Sequence, residues 1–348
     1  MRRLTRLVLV VLVVCSPAWA HDLGVDVTLN GTASSSNNPR SGSLGFSVSG
    51  SYDFTDRWSA FLTGVFMRDF ATRSEDSFSP GSNVFLFSGG VMFVANDHFM
   101  VMATVSGSPP SVQRNATTFE GSDQGPVGYV IKATNFSVGG TAMGSYATNG
   151  FSNWEHTFDL SAGVNHLESD QIAELGTTLR ARLLRTYCER NPVAGYCPIV
   201  LGIDAPLTQV RLGGTYTATL FLKTDVSLDV AGFLYDAADP VAVGSYSAAI
   251  AGRQGPDVGL GTPVAPWVLT VRPSVVHRAG SFSVKLAYQY GLYASNTGSN
   301  HLVSAKVSWK LNPTLKLSLT ALGQTDFANG SVVNRGGSLT TGLLILFP

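Results

Sequence analysis

The chain has 348 residues, 44% of them hydrophobic and only 13% charged, with 37 Gly, a formal net charge of zero and a mean hydropathy of +0.17. A polytopic helical membrane protein needs several runs of ~20 apolar residues, and only one uninterrupted apolar run occurs, at the very start, so that class is excluded. High apolar content excludes disorder, and charge neutrality offers no basic face to a nucleic acid.

The first element is a leader. Arg2, Arg3 and Arg6 precede the apolar run from Leu7 to Val14, and Ala18-Trp19-Ala20 follows. A basic start, a short apolar stretch and an A-x-A site predict a secretory signal over residues 1–20, cleaved after Ala20, with 21–348 as one mature domain. Cleavage removes three Arg and no acid, leaving 20 Lys and Arg against 23 Asp and Glu. Cys15 leaves with the leader. The remaining pair, Cys188 and Cys197, is predicted to form one disulfide in an exported chain.

From Leu23 onward the dominant period is two. Leu44, Phe46 and Val48 alternate with Ser43, Gly45 and Ser47, then Phe282, Val284, Leu286 and Tyr288 with Ser283, Lys285, Ala287 and Gln289. Val303 to Leu311 and Leu315 to Ala321 alternate in the same way, as does the segment 172–187, where Leu175, Leu179 and Leu183 oppose Glu174, Arg180 and Arg182. Such runs are strands with one apolar and one polar face. In chain order they are predicted at 23–35, 43–54, 58–72, 84–95, 98–106, 127–133, 136–147, 156–167, 172–187, 207–221, 226–237, 264–277, 281–294, 301–311, 314–326 and 337–347.

The connections decide what the strands build. Short turns are predicted at 55–57, 96–97, 134–135, 169–171, 224–225, 278–280 and 312–313. Between them fall longer loops near 36–42, 73–83, 106–126, 147–155, 188–206, 238–263, 295–300 and 328–336. Strict alternation of short and long predicts an all-β, antiparallel, up-and-down transmembrane barrel of about sixteen strands, with fourteen as the alternative if two of strands five to seven merge. Only a helix or a closed barrel pairs every backbone N–H and C=O in hydrocarbon. The apolar face is therefore expected to meet outer-membrane lipid and the polar face to line the lumen. Aromatics near strand ends (Tyr52, Phe54, Trp58, Phe99, Tyr288, Tyr290, Tyr293, Trp309) are expected to form interfacial girdles.

The last strand carries a resemblance. Thr340, Gly342, Ile345 and Phe347 stand in the order polar, Gly, hydrophobic, aromatic, and this pattern resembles the terminal β-signal of bacterial outer-membrane proteins. The resemblance implies recognition by the barrel-assembly machinery, and the mature chain as a whole looks similar to porin-like barrels of the bacterial cell outer membrane.

Enzyme chemistry and cofactors are not expected. The chain has neither a G-x-S-x-G elbow nor a P-loop, and no Cys/His cluster suggests a metal. Ser299 and His301 could be imagined as a hydrolase pair at one rim, and the simpler expectation for His301 is an interfacial residue. The lumen is expected to carry Arg180, Arg182, Arg211, Arg272, Lys285, Lys306, Lys310 and Lys316, with fewer acids, among them Asp26, Asp159, Glu174 and Asp229. A cation-lined wall lowers the entry cost of anions. The expected function is passage of small hydrophilic solutes with a mild anion preference, by a monomer or homo-oligomer. The alternatives are an export barrel, for surface polysaccharide for instance, or a non-conducting barrel that displays loops for adhesion.

Overall fold

The computed structural model describes residues 22–34, 41–71, 81–119, 127–149, 154–175, 207–236, 267–293, 298–328 and 330–347. Fourteen strands are found among them. They are β1 (Asp22–Ser34), β2 (Ser41–Thr55), β3 (Trp58–Ala71), β4 (Gly81–Asn96), β5 (Phe99–Phe119), β6 (Val127–Asn149) and β7 (Trp154–Leu175), followed by β8 (Leu207–Leu220), β9 (Thr224–Tyr235), β10 (Trp267–Ala279), β11 (Phe282–Tyr293), β12 (Gly298–Asn312), β13 (Leu315–Ala328) and β14 (Ser331–Phe347). Each pairs antiparallel with its sequence neighbours, and β1 pairs with β14 from Leu23↔Phe347 to Ser34↔Gly336, so the sheet closes. Fourteen strands about 4.8 Å apart, tilted about 40°, give a backbone radius of roughly 14 Å. That is wide enough for an aqueous passage unless side chains or loops fill it.

The predicted barrel is present with the smaller of the two strand numbers. The turns predicted at 134–135 and 169–171 do not form, and the chain runs straight through both in β6 and β7. The reason lies in the register: Thr134 lies opposite Asp170 and Asn135 opposite Ser169, so the two apparent turns are cross-strand partners in one long hairpin. The loop predicted at 147–155 becomes a connection at the short-turn end, between β6 and β7. The strand predicted from 127–133 is the outer part of β6, and β5 extends to Phe119 through the loop predicted at 106–126. The strand predicted at 172–187 is the end of β7 as far as Leu175, and its remainder lies outside the described residues.

At 21 to 23 residues, β5, β6 and β7 exceed every other strand. Among the described residues, their outer parts pair only with one another. The β4–β5 ladder stops at Phe87↔Gly107, and the β7–β8 ladder stops at Leu167↔Leu207. A bulge containing Pro109 and Pro110 marks the divergence on β5. Proline has no N–H to donate, so it suits a strand losing its neighbour.

Alternation assigns the two faces. Residues under 10% exposed fall almost entirely on one parity: Gln209, Ala231, Phe233, Gln289, Tyr293, Asn300, Leu302, Gln324 and Asp326 are examples. The opposite parity carries the exposed hydrophobics, such as Leu160, Leu212, Leu228, Val275, Leu286, Val303 and Leu319. Large apolar side chains outside and polar ones inside invert the arrangement of a soluble domain, as a barrel in lipid requires.

Aromatic pairs bound this apolar surface at the short-turn end. Trp58 packs on Phe93, His98 on Tyr146, His156 on Tyr216, and Phe282 stacks on Trp309 at 5.3 Å. At the loop end His301 sits among Tyr288, Tyr290 and Phe327. Along β12 the outward residues between His301 and Trp309 are Val303, Ala305 and Val307. Eight residues at about 3.3 Å rise and 40° tilt separate the girdles by about 20 Å, close to an apolar band. Tyr293, expected in the outer girdle, instead faces inward and is 3% exposed.

The β8–β9 turn also falls elsewhere than predicted. It is made by Phe221 and Leu222, with φ of 52° and 58°, rather than by Thr224-Asp225, which begin β9. With Leu220 paired to Thr224, residues 221–223 make a three-residue connection whose first two residues are left-handed, a conformation that favours Asn and Gly. Bulky side chains there cost roughly 1–2 kcal/mol each.

Candidate functional site: the inner wall

The inner face of β8–β13 carries the charged residues, and it divides into three zones. The first is an arginine–carboxylate zone on β7–β10. Arg211 of β8 donates from Nη1 to Ser161 Oγ at 2.9 Å and lies 3.8 Å from Asp229 of β9. Asp229 also accepts from Thr215 Oγ1 at 2.8 Å, and Arg272 of β10 sits directly across from it in register. Near the short-turn end Arg278 binds Asp225 through both guanidinium nitrogens, with Thr219 Oγ1 donating to the same carboxylate at 3.0 Å. Fork-to-fork pairing fixes geometry as well as charge.

The second zone is lysine-rich. Lys285 of β11 lies opposite Lys306 of β12, and Lys310 of β12 lies opposite Lys316 of β13. Like charges directly across a ladder repel. Asp26 of β1 reaches the row of Lys316 by way of Leu344.

The third zone lies toward the loop end of β9–β13 and is almost fully buried. Asp326 is 0% exposed and accepts from Tyr293 Oη at 2.5 Å, Asn300 Nδ2 at 2.6 Å and Gln324 Nε2 at 2.8 Å. Beside it Trp267 packs with Ala231, Phe233 and Tyr293. Its indole nitrogen approaches within 2.6 Å of where a Cβ on Gly291 would stand, so only glycine fits opposite it. Tyr235 donates to the Trp267 carbonyl at 2.8 Å and accepts from Gln209 Nε2 at 3.0 Å.

Of the predicted lumen residues, Arg211, Asp229, Arg272, Lys285, Lys306, Lys310 and Lys316 lie on the inward parity, and Asp159 faces Thr215 and Ser145 in the same row. Arg180, Arg182, Cys188, Cys197 and the leader lie outside the described residues. Glu174 is in the outer extension of β7, opposite Val130. In β14, Thr340 and Gly342 face inward, on the parity opposite to Thr341 and Ile345. Sequence reasoning missed the Arg278–Asp225 pair because both residues were assigned to turns. It missed the Asp326 cluster because Asn300 was assigned to a loop. The parity of each strand, carried two residues further, would have found both.

His301 Nε2 lies 3.3 Å from Ser299 Oγ, and its Nδ1 lies 2.6 Å from the Tyr288 hydroxyl. His156 makes the same contact with Tyr216 at 2.8 Å at the other membrane boundary. A repeated outward His–Tyr pair is a girdle feature. Among the described residues no group of three or more His, Cys, Asp or Glu is placed to hold a metal.

No family model matches the chain, and no curated protein matches it in sequence. Solved structures do. The CymD monoaromatic hydrocarbon channel superposes with a TM-score of 0.52 at 10% identity, covering 94% of this chain and 88% of that one. The toluene transporter TbuX of Ralstonia pickettii gives 0.49 at 8% identity, with 95% and 90% covered. A FadL homologue of Pseudomonas aeruginosa gives 0.45 at 11%, with 93% and 88% covered. With a closed antiparallel ring, a lipid-type outer face and a polar interior already in place, the chain has the fold of the bacterial outer-membrane β-barrels.

Proposed function

We propose that the protein is an outer-membrane channel for small hydrophilic solutes that favours anions. The lysine-rich inner zone carries this reading. Lys285 stands opposite Lys306 and Lys310 opposite Lys316 on the inward parity, which sets four cationic side chains in neighbouring rows toward the short-turn mouth. A wall of that sign draws an anion inward and resists a cation. The leader over residues 1–20, the Cys188–Cys197 disulfide, delivery by the barrel-assembly machinery through β14 and assembly into a homo-oligomer belong to the same proposal.

The test is electrical. Refolded protein in a planar bilayer should give discrete ohmic steps, with a reversal potential in a salt gradient that indicates anion preference. Charge reversal of Lys285, Lys306 and Lys316 to Glu should move that potential toward the cation side. A folded barrel that gives no steps would sink the channel reading.

A further inference from the structure

The β8–β9 turn differs from the other short connections. Those that the structure describes are polar: Asp56-Arg57, Asp97-His98, Gly280-Ser281 and Pro313-Thr314. Here the tip is Phe221-Leu222, 67% and 77% exposed, and these are the only non-glycine residues with positive φ among those described. The chain thus keeps two large apolar side chains where both backbone strain and water oppose them. Asn and Gly adopt this left-handed conformation with little strain, so closing the turn does not itself require Phe and Leu.

The outer surface beside the turn shows what would favour it. Trp154 lies opposite Leu220 in register, and its ring neighbours His156, with Tyr216 stacked on His156 and tilted against Phe158. The exposed tip thus follows directly in sequence on Leu220, the residue that stands opposite Trp154 at the edge of this group. The corner is held rigidly: the Lys223 amide donates to the Leu220 carbonyl at 3.1 Å, and the Lys223 carbonyl accepts from the Arg278 amide at 2.8 Å. Lys223 itself is exposed next to the apolar pair. An apolar tip beside a cation suits the boundary between acyl chains and phosphates, where aromatic bodies bury and a lysine reaches the headgroup.

We propose that Phe221, Leu222 and Lys223 form a lipid anchor that seats this corner of the barrel in the phospholipid leaflet on the short-turn side. The proposal rests on the outward face meeting lipid and is independent of whether the lumen conducts. The phospholipid is recognised through its apolar-to-phosphate boundary.

Two experiments on the full chain test it. Phe221 is replaced by the photo-reactive p-benzoylphenylalanine, the barrel is assembled in bacterial outer membranes, and the illuminated protein is weighed by mass spectrometry. An adduct with the mass of one phospholipid is expected, and the same probe at Asp56 should give none. A polypeptide adduct at position 221, or no lipid adduct there, overturns the anchor. In the second experiment, F221N/L222G removes the strain and the apolar tip together. The anchor predicts several-fold slower insertion into vesicles of phosphatidylethanolamine and phosphatidylglycerol. Unchanged or faster insertion counts against it. A conducting barrel without the lipid adduct discards the anchor alone, whereas the adduct on a non-conducting barrel discards the channel alone.

Discussion

Asp326 accepts three hydrogen bonds while wholly shielded from solvent, so three donors on three strands depend on one carboxyl group. Removing the acceptor strands them together, whereas removing one donor strands nothing else. Asp326→Ala should therefore destabilise the barrel by about 3 kcal/mol and Tyr293→Phe by only about 1 kcal/mol. Urea unfolding in lipid vesicles measures both, and equal effects would show that the group does not act as a unit. This cluster was the least legible part of the chain. A tyrosine at a strand end and an asparagine after a turn fit an interfacial girdle and a loop just as well. What separates the readings is that β12 begins at Gly298, three residues before the predicted start at 301, and local composition does not encode where a ladder stops.

At the scale of an element, two glycines that look alike in sequence differ in what surrounds them. A Cβ on Gly298, at φ 155°, would stand 1.8 Å from the Phe327 carbonyl oxygen, and that atom belongs to the backbone of β13 and cannot give way. A Cβ on Gly323 meets nothing within 4 Å. Gly298→Ala should abolish or sharply reduce the folded, heat-modifiable band on a gel, and Gly323→Ala should leave it unchanged. Strand existence was legible nearly throughout, because alternation against lipid is unambiguous along β2, β11, β12 and β13. The turns in the β5–β7 region were not. Thr134-Asn135 and Ser169-Asp170 have turn chemistry, yet they face each other in a continuous hairpin. On the outward face they follow Phe136 and His166, where the apolar band ends. Polar, turn-forming residues there mark the departure of a strand from hydrocarbon, and composition alone does not distinguish departure from reversal.

The whole ring depends on one late contact. β14 closes on β1 over twelve consecutive residue pairs, with Phe347 opposite Leu23 at the short-turn end. Deleting Phe347 and Pro348 should slow assembly in cells, read as accumulation of the unfolded form, more than it lowers the stability of barrels already closed. Equal assembly of the truncated chain would remove the β-signal from the account. That both chain ends meet at the short-turn side was legible from the even strand number alone, whichever of the two numbers was chosen. The charge pattern of the lumen was legible by parity, but its division into paired and like-charged zones needed the neighbours of each strand.

A closed ladder works as a hoop, since no strand can tilt away without breaking bonds to both neighbours. The hoop is complete only where all fourteen strands reach. Beyond Gly107 on β5 and Leu167 on β7 the described ladders continue only within β5–β7. Above that level β5, β6 and β7 form a three-stranded panel that, among the described residues, shares no ladder with β4 or β8. A load on that panel would break none of the described ladder bonds that close the fourteen-strand ring below it.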